Sequence, residues 1–210
     1  AAGHPTNEQS HAIVAALESD DVRLHDPSVL LGHLAAAGLT ERAAKQAERA
    51  AHLASEQLAF DRAAMLYRMA LELGKPEGEA RRRIHAGMGD ALAHGGRCAE
   101  ATEAFFAAAE GAETATRLEY RRRAAEQLLL SGHVERGLEE IRAVLADMKL
   151  GVPRTPRGAL FSLLFQRARL RLRGLGWKER EVSEISRQDL ERLELHKTIG
   201  QGLSFADTVR

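Results

Sequence analysis

The feature that most constrains this chain is a pattern of small and large residues that recurs every 36 to 38 positions. In each copy a large residue stands four positions after a small one, and a further packing residue follows three positions later. This spacing places all three residues on one face of a helix. The copies are Ala63, Tyr67 and Ala70, then Ala101, Phe105 and Ala108, then Gly137, Ile141 and Val144. None of these side chains performs acid, base or nucleophilic chemistry, so the pattern indicates helix packing.

Composition and chain breakers predict an all-α fold. Ala, Leu, Glu and Arg dominate, and only five Pro occur, which favours helix almost everywhere. We expect helices of roughly 10 to 18 residues that pack as antiparallel neighbours across tight turns. The expected breaks lie at Gly38, near Glu56, at 74–76, at 95–96, around Gly111, at Gly132 and at 151–153.

The recurring unit resembles the tetratricopeptide repeat, which consists of two antiparallel helices in about 34 residues. Residues 82–115 match best, residues 118–149 match more weakly, residues 44–76 match mainly in their second helix, and residues 27–37 suggest an additional half-unit. The signature positions of the best copy are Gly89, Leu92, Gly96, Ala101, Phe105 and Ala108. The repeats are divergent, because His85 stands at the family's Trp position and the closing Pro is absent. The resemblance implies a stacked superhelix, or α-solenoid; the alternative is a non-repetitive helical bundle.

A second resemblance covers most of the chain. The segments "RLHDPSVLLGHLAAAG" and "LAFDRAAMLYRMALEL" are similar to the segment after the ATPase module in large bacterial serine/threonine protein kinases with an AAA- or STAND-type ATPase. The Arg-rich text after Lys149 and a final G-L-S-x-x-D-x-x-R pattern are similar to the region that follows the helical repeats in the same proteins. The residues of the final pattern are Gly202, Leu203, Ser204, Asp207 and Arg210. We therefore divide the chain into an N-terminal helical lead-in (1–26), divergent tetratricopeptide-like repeats (27–149), and a truncated continuation of the solenoid by an Arg-rich helix, a variable link and a C-terminal helix (150–210).

Charge and cysteine content limit the partners and the cellular compartment that we expect for this chain. Thirty basic residues balance thirty acidic ones, so the net charge predicts neither a nucleic-acid nor a membrane partner. Cys98 is the only cysteine, which excludes an intramolecular disulfide and suits a reducing cytoplasm. No apolar run approaches the roughly 20 residues of a membrane span. Because the chain begins without Met, and since Arg, Ala and Gly have GC-rich codons, we expect a piece of a longer bacterial protein.

No catalytic, cofactor-binding or metal-binding residues can be assigned. The chain lacks the G-x-x-x-x-G-K-[ST] phosphate loop, the H-R-D and D-F-G kinase motifs, and the G-x-S-x-G and H-E-x-x-H motifs. His94 and Cys98 stand four positions apart but across a turn. We expect Cys98 to be a small buried hydrophobic residue. The segment is therefore expected to be non-catalytic and to need no cofactor, and any kinase activity would belong to another part of the parent protein.

The repeat resemblance implies a working surface, because first helices line the concave face of such a superhelix and their outward positions contact ligands. In this sequence, the positions that correspond to the ligand-contacting positions of the resembled repeat are Lys45, Glu48, His52, Arg83, Asp90, His94, Glu119, Arg122 and Glu126. Their charges alternate in sign, which suits recognition of a peptide or helix in a defined register. The alternative is an ordinary solvated face.

A second candidate surface lies in the basic stretch 154–180, which has eight Arg or Lys and one acid, Glu179. The predicted buried stripe comprises Phe161, Leu164, Phe165, Ala168 and Leu172. The basic ridge, Arg167, Arg169, Arg171 and Arg173, would then flank that stripe. It could bind phosphate or an acidic partner, or it could be a solvated face paired with the acids of 179–194.

These observations favour a cytoplasmic protein–protein interaction module that regulates a serine/threonine kinase-ATPase signalling protein. Its expected partner is a protein or peptide, or another domain of the same chain. The alternative is a nucleic-acid-associated or transcription-regulatory helical domain that uses the basic stretch, although nearly absent aromatic residues make nucleic acid the less favoured partner. Exposed repeat ends could also support a homodimer.

Overall fold

The computed structural model describes residues 27–148 and 156–174, together with residues 176, 184–186, 189–190, 193 and 197. In these residues the chain is all-α and contains no strand. Eight helices have described bounds: α1 (Pro27–Ala36), α2 (Thr40–Glu56), α3 (Phe60–Gly74), α4 (Gly78–His94), α5 (Cys98–Ala109), α6 (Thr114–Leu130), α7 (Val134–Asp147) and α8 (Pro156–Arg173). The lead-in predicted for 1–26 and the break predicted at 151–153 lie outside the described residues.

Helices α1 to α7 pack in the order in which they occur along the chain, each against the next. This is the arrangement of a helical-repeat solenoid, as the sequence predicted. The pairs α2–α3, α4–α5 and α6–α7 each consist of a 17-residue first helix and a shorter second helix. Helix ends fall at the predicted breaks at Gly38, Glu56, 74–76, 95–96, Gly111 and Gly132.

Four of the turns share one hydrogen-bonding pattern. In each, the backbone N–H that opens the next helix donates to a carbonyl five positions earlier, and the preceding residue has a positive φ. This is the Schellman motif, which satisfies carbonyls that a helix end leaves unpaired. The N–H to carbonyl pairs are Leu39 to Leu34 at 3.0 Å, Ala59 to Ala54 at 2.8 Å, Arg97 to Leu92 at 2.8 Å and His133 to Leu128 at 2.9 Å.

Helix α2 takes part in two of these turns, one at each end. It follows α1 through the turn at Gly38 and leads into α3 through the turn at Leu58. This explains why the turn signature at Gly38 occurs only 20 residues before the next one. Helix α2 is the second helix of a pair with α1 and also the first helix of a pair with α3.

Small residues set the distance between the helices. An ideal Cβ built on Gly89 of α4 would lie 2.7 Å from Cε1 of Phe105 on α5, well inside van der Waals contact. Phe105 is only 1% exposed, so its ring has no free space to move into. The small residue on α4 therefore admits the large one on α5. Gly87 admits Tyr67 of α3 in the same way.

The prediction that the apolar stripe of α8 is buried is wrong. All five of its residues are exposed, with Phe161 75% and Leu172 90% exposed. A helical stripe shows only what a helix is able to bury, and burial also requires a neighbouring element over the stripe. Cys98 likewise is half-buried rather than buried, because it is the first residue of α5.

Substituting Gly89 by Ala tests the close approach of α4 and α5. We expect the free energy of unfolding to fall by about 2 kcal/mol, because the new methyl group overlaps the Phe105 ring. The matched control is Gly32→Ala in α1, where a Cβ would meet nothing within 4 Å. That change should raise stability by about 0.5–1 kcal/mol, since Ala is the better helix former. Urea unfolding followed by circular dichroism measures both, and equal effects would contradict the packing argument.

Substituting Leu58 by Gly tests the turn between α2 and α3. Leu58 has φ 60°, a left-handed conformation that costs a residue with a Cβ about 1 kcal/mol. Because its side chain is 73% exposed and contributes little packing, we expect Leu58→Gly to raise the unfolding free energy by about 0.5–1 kcal/mol. The converse change, Gly96→Ala at φ 75°, should lower it by about 1 kcal/mol. A destabilising Leu58→Gly would show that the turn is not strained.

Candidate partner-binding face

The nine predicted partner-binding residues lie on the three first helices. Lys45, Glu48 and His52 are on α2, the next three are on α4, and Glu119, Arg122 and Glu126 are on α6. We call these nine residues, together with Arg123, the polar strip. Their side chains range from well exposed, as in Lys45 at 72%, to mostly buried, as in Arg122 at 12%, so a partner can reach most of the strip but not all of it equally.

The polar strip crosses from α2 to α4 through a bidentate ion pair. Arg83 Nε donates to Glu48 Oε1 at 2.9 Å, and Arg83 Nη2 donates to Glu48 Oε2 at 3.3 Å. The side chain of Glu48 is only 18% exposed, whereas that of Arg83 is 58% exposed. The hydrogen bond and the charge of Glu48 raise the pKa of the Arg83 guanidinium. Arg83 is therefore held in place at one edge while the rest of its guanidinium faces outward.

The strip continues from α4 to α6 through Asp90 and Arg123, whose carboxylate and guanidinium are in direct contact. Arg123 also lies over the ring of Phe105, with its Cζ 4.5 Å from the ring centroid. This is the ring that packs against Gly89. Burial lowers the pKa of Arg123, and the charge of Glu126 acts in the opposite direction. A cation–π contact thus joins the polar strip to the helix-packing core.

Sequence reasoning missed Arg123, although a signal was present. With the repeat spacings of 38 and 36 positions, the residues equivalent to Glu48 and Asp90 in the following helix pair are Ala86 and Glu126. Each acid instead contacts the residue three positions before its equivalent, Arg83 or Arg123. Each ion pair therefore joins residues that are three positions, or about one helical turn, out of step with the repeat alignment. Searching for opposite charges at that offset would have found both pairs.

The remaining residues of the polar strip make local contacts. Lys45 pairs with Glu41 at 3.1 Å. Arg122 lies between Glu119 and Glu126, with contacts of 2.8 and 3.4 Å. The pair of Lys45 and Glu41 is an exposed surface pair, and such pairs typically contribute less than about 1 kcal/mol, whereas the side chain of Arg122 is only 12% exposed.

The two histidines of the strip contact aromatic rings. His52 Nδ1 is 3.3 Å from the hydroxyl oxygen of Tyr67. The ring of His94 stacks on Phe60 with centroids 5.2 Å apart, and its Nδ1 donates to the carbonyl of Asp90 at 2.8 Å. Tyr67 is only 2% exposed, whereas His52 and His94 are exposed, so the aromatic surface beside the charges of the strip comes from the imidazole rings.

Because its charges are already paired, the polar strip can bind only certain ligands well. A ligand gains little from a charge that is already paired unless it replaces the partner or adds a hydrogen bond to the outward edge. Such a surface favours ligands whose polar groups match its spacing and rejects others, because an unmatched buried charge costs binding free energy. The arrangement suits register-specific recognition of a polar peptide or helix.

Metal binding and membrane insertion find no support in the described part of the chain. Within it, no three His, Cys, Asp or Glu side chains lie close enough to hold a metal ion. No described helix combines the length and apolar character of a membrane span. The four arginines of the basic ridge are all exposed on α8, but the apolar stripe they were predicted to flank is exposed as well.

A separate groove of about 530 Å³ lies at the turn between α3 and α4. Among its lining residues are Lys75, Arg81 and His85, none of which belongs to the polar strip. His85 occupies the position where the resembled repeat has Trp, and its Nδ1 is buried with no hydrogen-bond partner among the described residues. Burial and the charge of Arg81 lower the pKa of His85, while Glu110 acts in the opposite direction. Burial and the charge of Arg81 therefore both favour the neutral imidazole.

Comparisons of the chain with models of known protein families, with curated proteins and with solved structures find no match.

A double-mutant cycle on Asp90 and Arg123 tests whether the strip is coupled to the fold. We expect the single changes to Ala to lower the unfolding free energy with a coupling energy of about 1 kcal/mol, because the pair is half-buried and rests on Phe105. The matched control is the exposed pair Glu41–Lys45, whose side chains are 82% and 72% exposed. Its coupling should stay near 0.3 kcal/mol or below, as measured for exposed helix pairs. Denaturant unfolding of the single and double variants measures both values, and equal coupling would contradict the predicted difference.

Proposed function

We propose that this chain is a non-catalytic protein–protein interaction module that binds a polar peptide or helix along the polar strip. The observation that carries the proposal is the continuity of the strip across three first helices through Glu48–Arg83 and Asp90–Arg123. A solvated surface does not require ion pairs that bridge successive repeats, whereas a binding surface needs its side chains held in position before the ligand arrives.

The module is proposed to serve as the regulatory arm of a bacterial serine/threonine kinase-ATPase signalling protein. Support for this parent comes from the similarity of "RLHDPSVLLGHLAAAG" and of the final G-L-S-x-x-D-x-x-R pattern to such proteins. Its catalytic groups would lie in another part of the parent, since the chain carries no phosphate-loop or kinase motif. Sequencing the reading frame upstream of Ala1 tests this part. Kinase and phosphate-loop motifs would support it, and a start codon immediately before Ala1 would refute it.

Peptide selection tests the polar strip directly. A phage-displayed library of random peptides is selected on the 210-residue chain, and the affinities of the selected peptides are measured for the wild type and for Arg83→Glu and Arg122→Gln. We expect each change to weaken binding at least about 10-fold, the equivalent of one well-formed polar contact. Gln is used at position 122 because Glu would place three carboxylates side by side with Glu119 and Glu126.

The matched control is Arg142→Glu, which reverses an exposed charge on the second helix α7. It should leave the affinity unchanged, and circular dichroism should show intact helices in all three variants. Peptides that bind the strip variants as tightly as the wild type would show that the strip is not the binding surface.

A further inference from the structure

The two ion pairs that join the first helices present opposite charges to the solvent. At the contact of α2 with α4, Arg83 is the exposed partner and Glu48 lies deeper. At the contact of α4 with α6 the order is reversed, because the side chain of Asp90 is 40% exposed and that of Arg123 only 28% exposed. The polar strip therefore does not repeat one charge pattern from each helix pair to the next.

Arg122 extends this reversal along α6. Its side chain is mostly buried, whereas those of its partners Glu119 and Glu126 are 46% and 34% exposed. The Nε and Nη2 atoms of Arg122 donate to the two carboxylate oxygens of Glu119 at 2.9 and 2.8 Å, which holds that carboxylate in place. In this part of the strip the carboxylates form the solvent side and the guanidiniums form the protein side.

The exposed edge of Arg83 remains available to a ligand. Its Nε and Nη2 atoms donate to Glu48, and its Nη1 atom has no hydrogen-bond partner among the described residues. Glu79 lies one turn earlier on α4 and forms no ion pair with Arg83. Lys45, which is paired with Glu41, adds a second exposed cation on α2. A ligand carboxylate could therefore bind Arg83 without displacing Glu48.

The carboxylate of Asp90 has free capacity as well. One of its oxygens, Oδ1, contacts Arg123, and Oδ2 accepts no hydrogen bond within the described part of the chain. Asp90 follows Arg83 by seven positions on α4, which corresponds to about 10 Å along the helix axis. The strip therefore has an anion-binding edge and a cation-binding edge at a fixed separation.

This arrangement disfavours ligands that carry only one sign of charge. A polyanion such as nucleic acid would be repelled by the exposed carboxylates of Asp90, Glu119 and Glu126. A uniformly basic segment would instead place a cation on Arg83. A segment that carries both signs, about 10 Å apart, satisfies both edges at once.

We propose that the polar strip binds a peptide segment of mixed charge in one orientation, with an Asp or Glu of the segment on Arg83 and a Lys or Arg on Asp90, Glu119 and Glu126. This inference rests on the proposed function and adds the chemistry and direction of the partner. A segment bound in the reverse direction would bring its carboxylate against three carboxylates and its cation against Arg83, so like charges select one orientation.

The peptides selected by phage display on the 210-residue chain provide the probe. We expect them to share an acidic and a basic residue in a fixed order, about three positions apart if the peptide is extended and about seven if it is helical. One such peptide is synthesised in three forms: unchanged, with its acid replaced by Ala, and with its base replaced by Ala. The affinity of each form is measured for the wild type, Arg83→Gln and Glu119→Gln.

We expect Arg83→Gln and Glu119→Gln each to weaken binding of the unchanged peptide at least about 10-fold. Arg83→Gln should have no effect on the peptide that lacks its acid, and Glu119→Gln should have none on the peptide that lacks its base, because each pair is then already broken. The crossed combinations should keep the full loss. The matched control is Arg142→Gln on α7, which removes an exposed charge and should leave all three affinities unchanged. Circular dichroism checks that the variants are folded, and the changes in the peptide cannot unfold the chain.

This experiment separates the orientation from the binding surface itself. Peptides that lose affinity with Arg83→Gln but show no fixed order of acid and base would overturn the inference and leave the proposed function standing. The same holds if Arg83→Gln weakens the peptide without its acid as strongly as the unchanged one. A selection that yields no binders, or only binders that tolerate every change in the strip, would refute the proposed function and this inference with it.

Discussion

The contact between Gly89 and Phe105 is the constraint on which the rest of the structure depends. A glycine at the crossing of α4 and α5 lets the two backbones approach until the phenylalanine ring fills the space that a Cβ would take. Burial of such rings and of the alanines around them supplies the main driving force for stacking the helices, because no single helix pair can cover its own apolar face. The same principle holds between pairs, where Gly87 receives Tyr67.

The position of the polar strip follows from this packing. Arg123 lies on the outer face of Phe105 and reaches Asp90 on the preceding first helix. The Phe105 ring therefore contacts both the glycine and the guanidinium, so a change in helix packing would also move the charge. This coupling gives the proposed binding surface its rigidity, since its side chains are anchored to the core rather than to flexible loops.

Helix α8 differs from the packed helices of the solenoid in the exposure of its apolar side chains. Helices α1 to α7 are amphipathic elements whose apolar faces meet a neighbour, whereas α8 keeps its large apolar side chains exposed. The polar strip has paired charges of both signs, whereas α8 has exposed apolar side chains and charges of one sign.

The sequence by itself determined the helices, their ends and the small-to-large pattern, because helix propensity, glycine at turns and a spacing of three and four residues are local properties. Which charges meet across helices was decided only by the tertiary structure: Glu48 pairs with Arg83, and Asp90 pairs with Arg123, each about one helical turn away from the position that the repeat spacing predicts. Tertiary packing also placed Leu58 in a left-handed turn and made α2 a member of two pairs. The exposure of α8 could not be predicted either. An apolar stripe shows which side chains a helix could bury, and whether they are buried depends on whether another element packs over them.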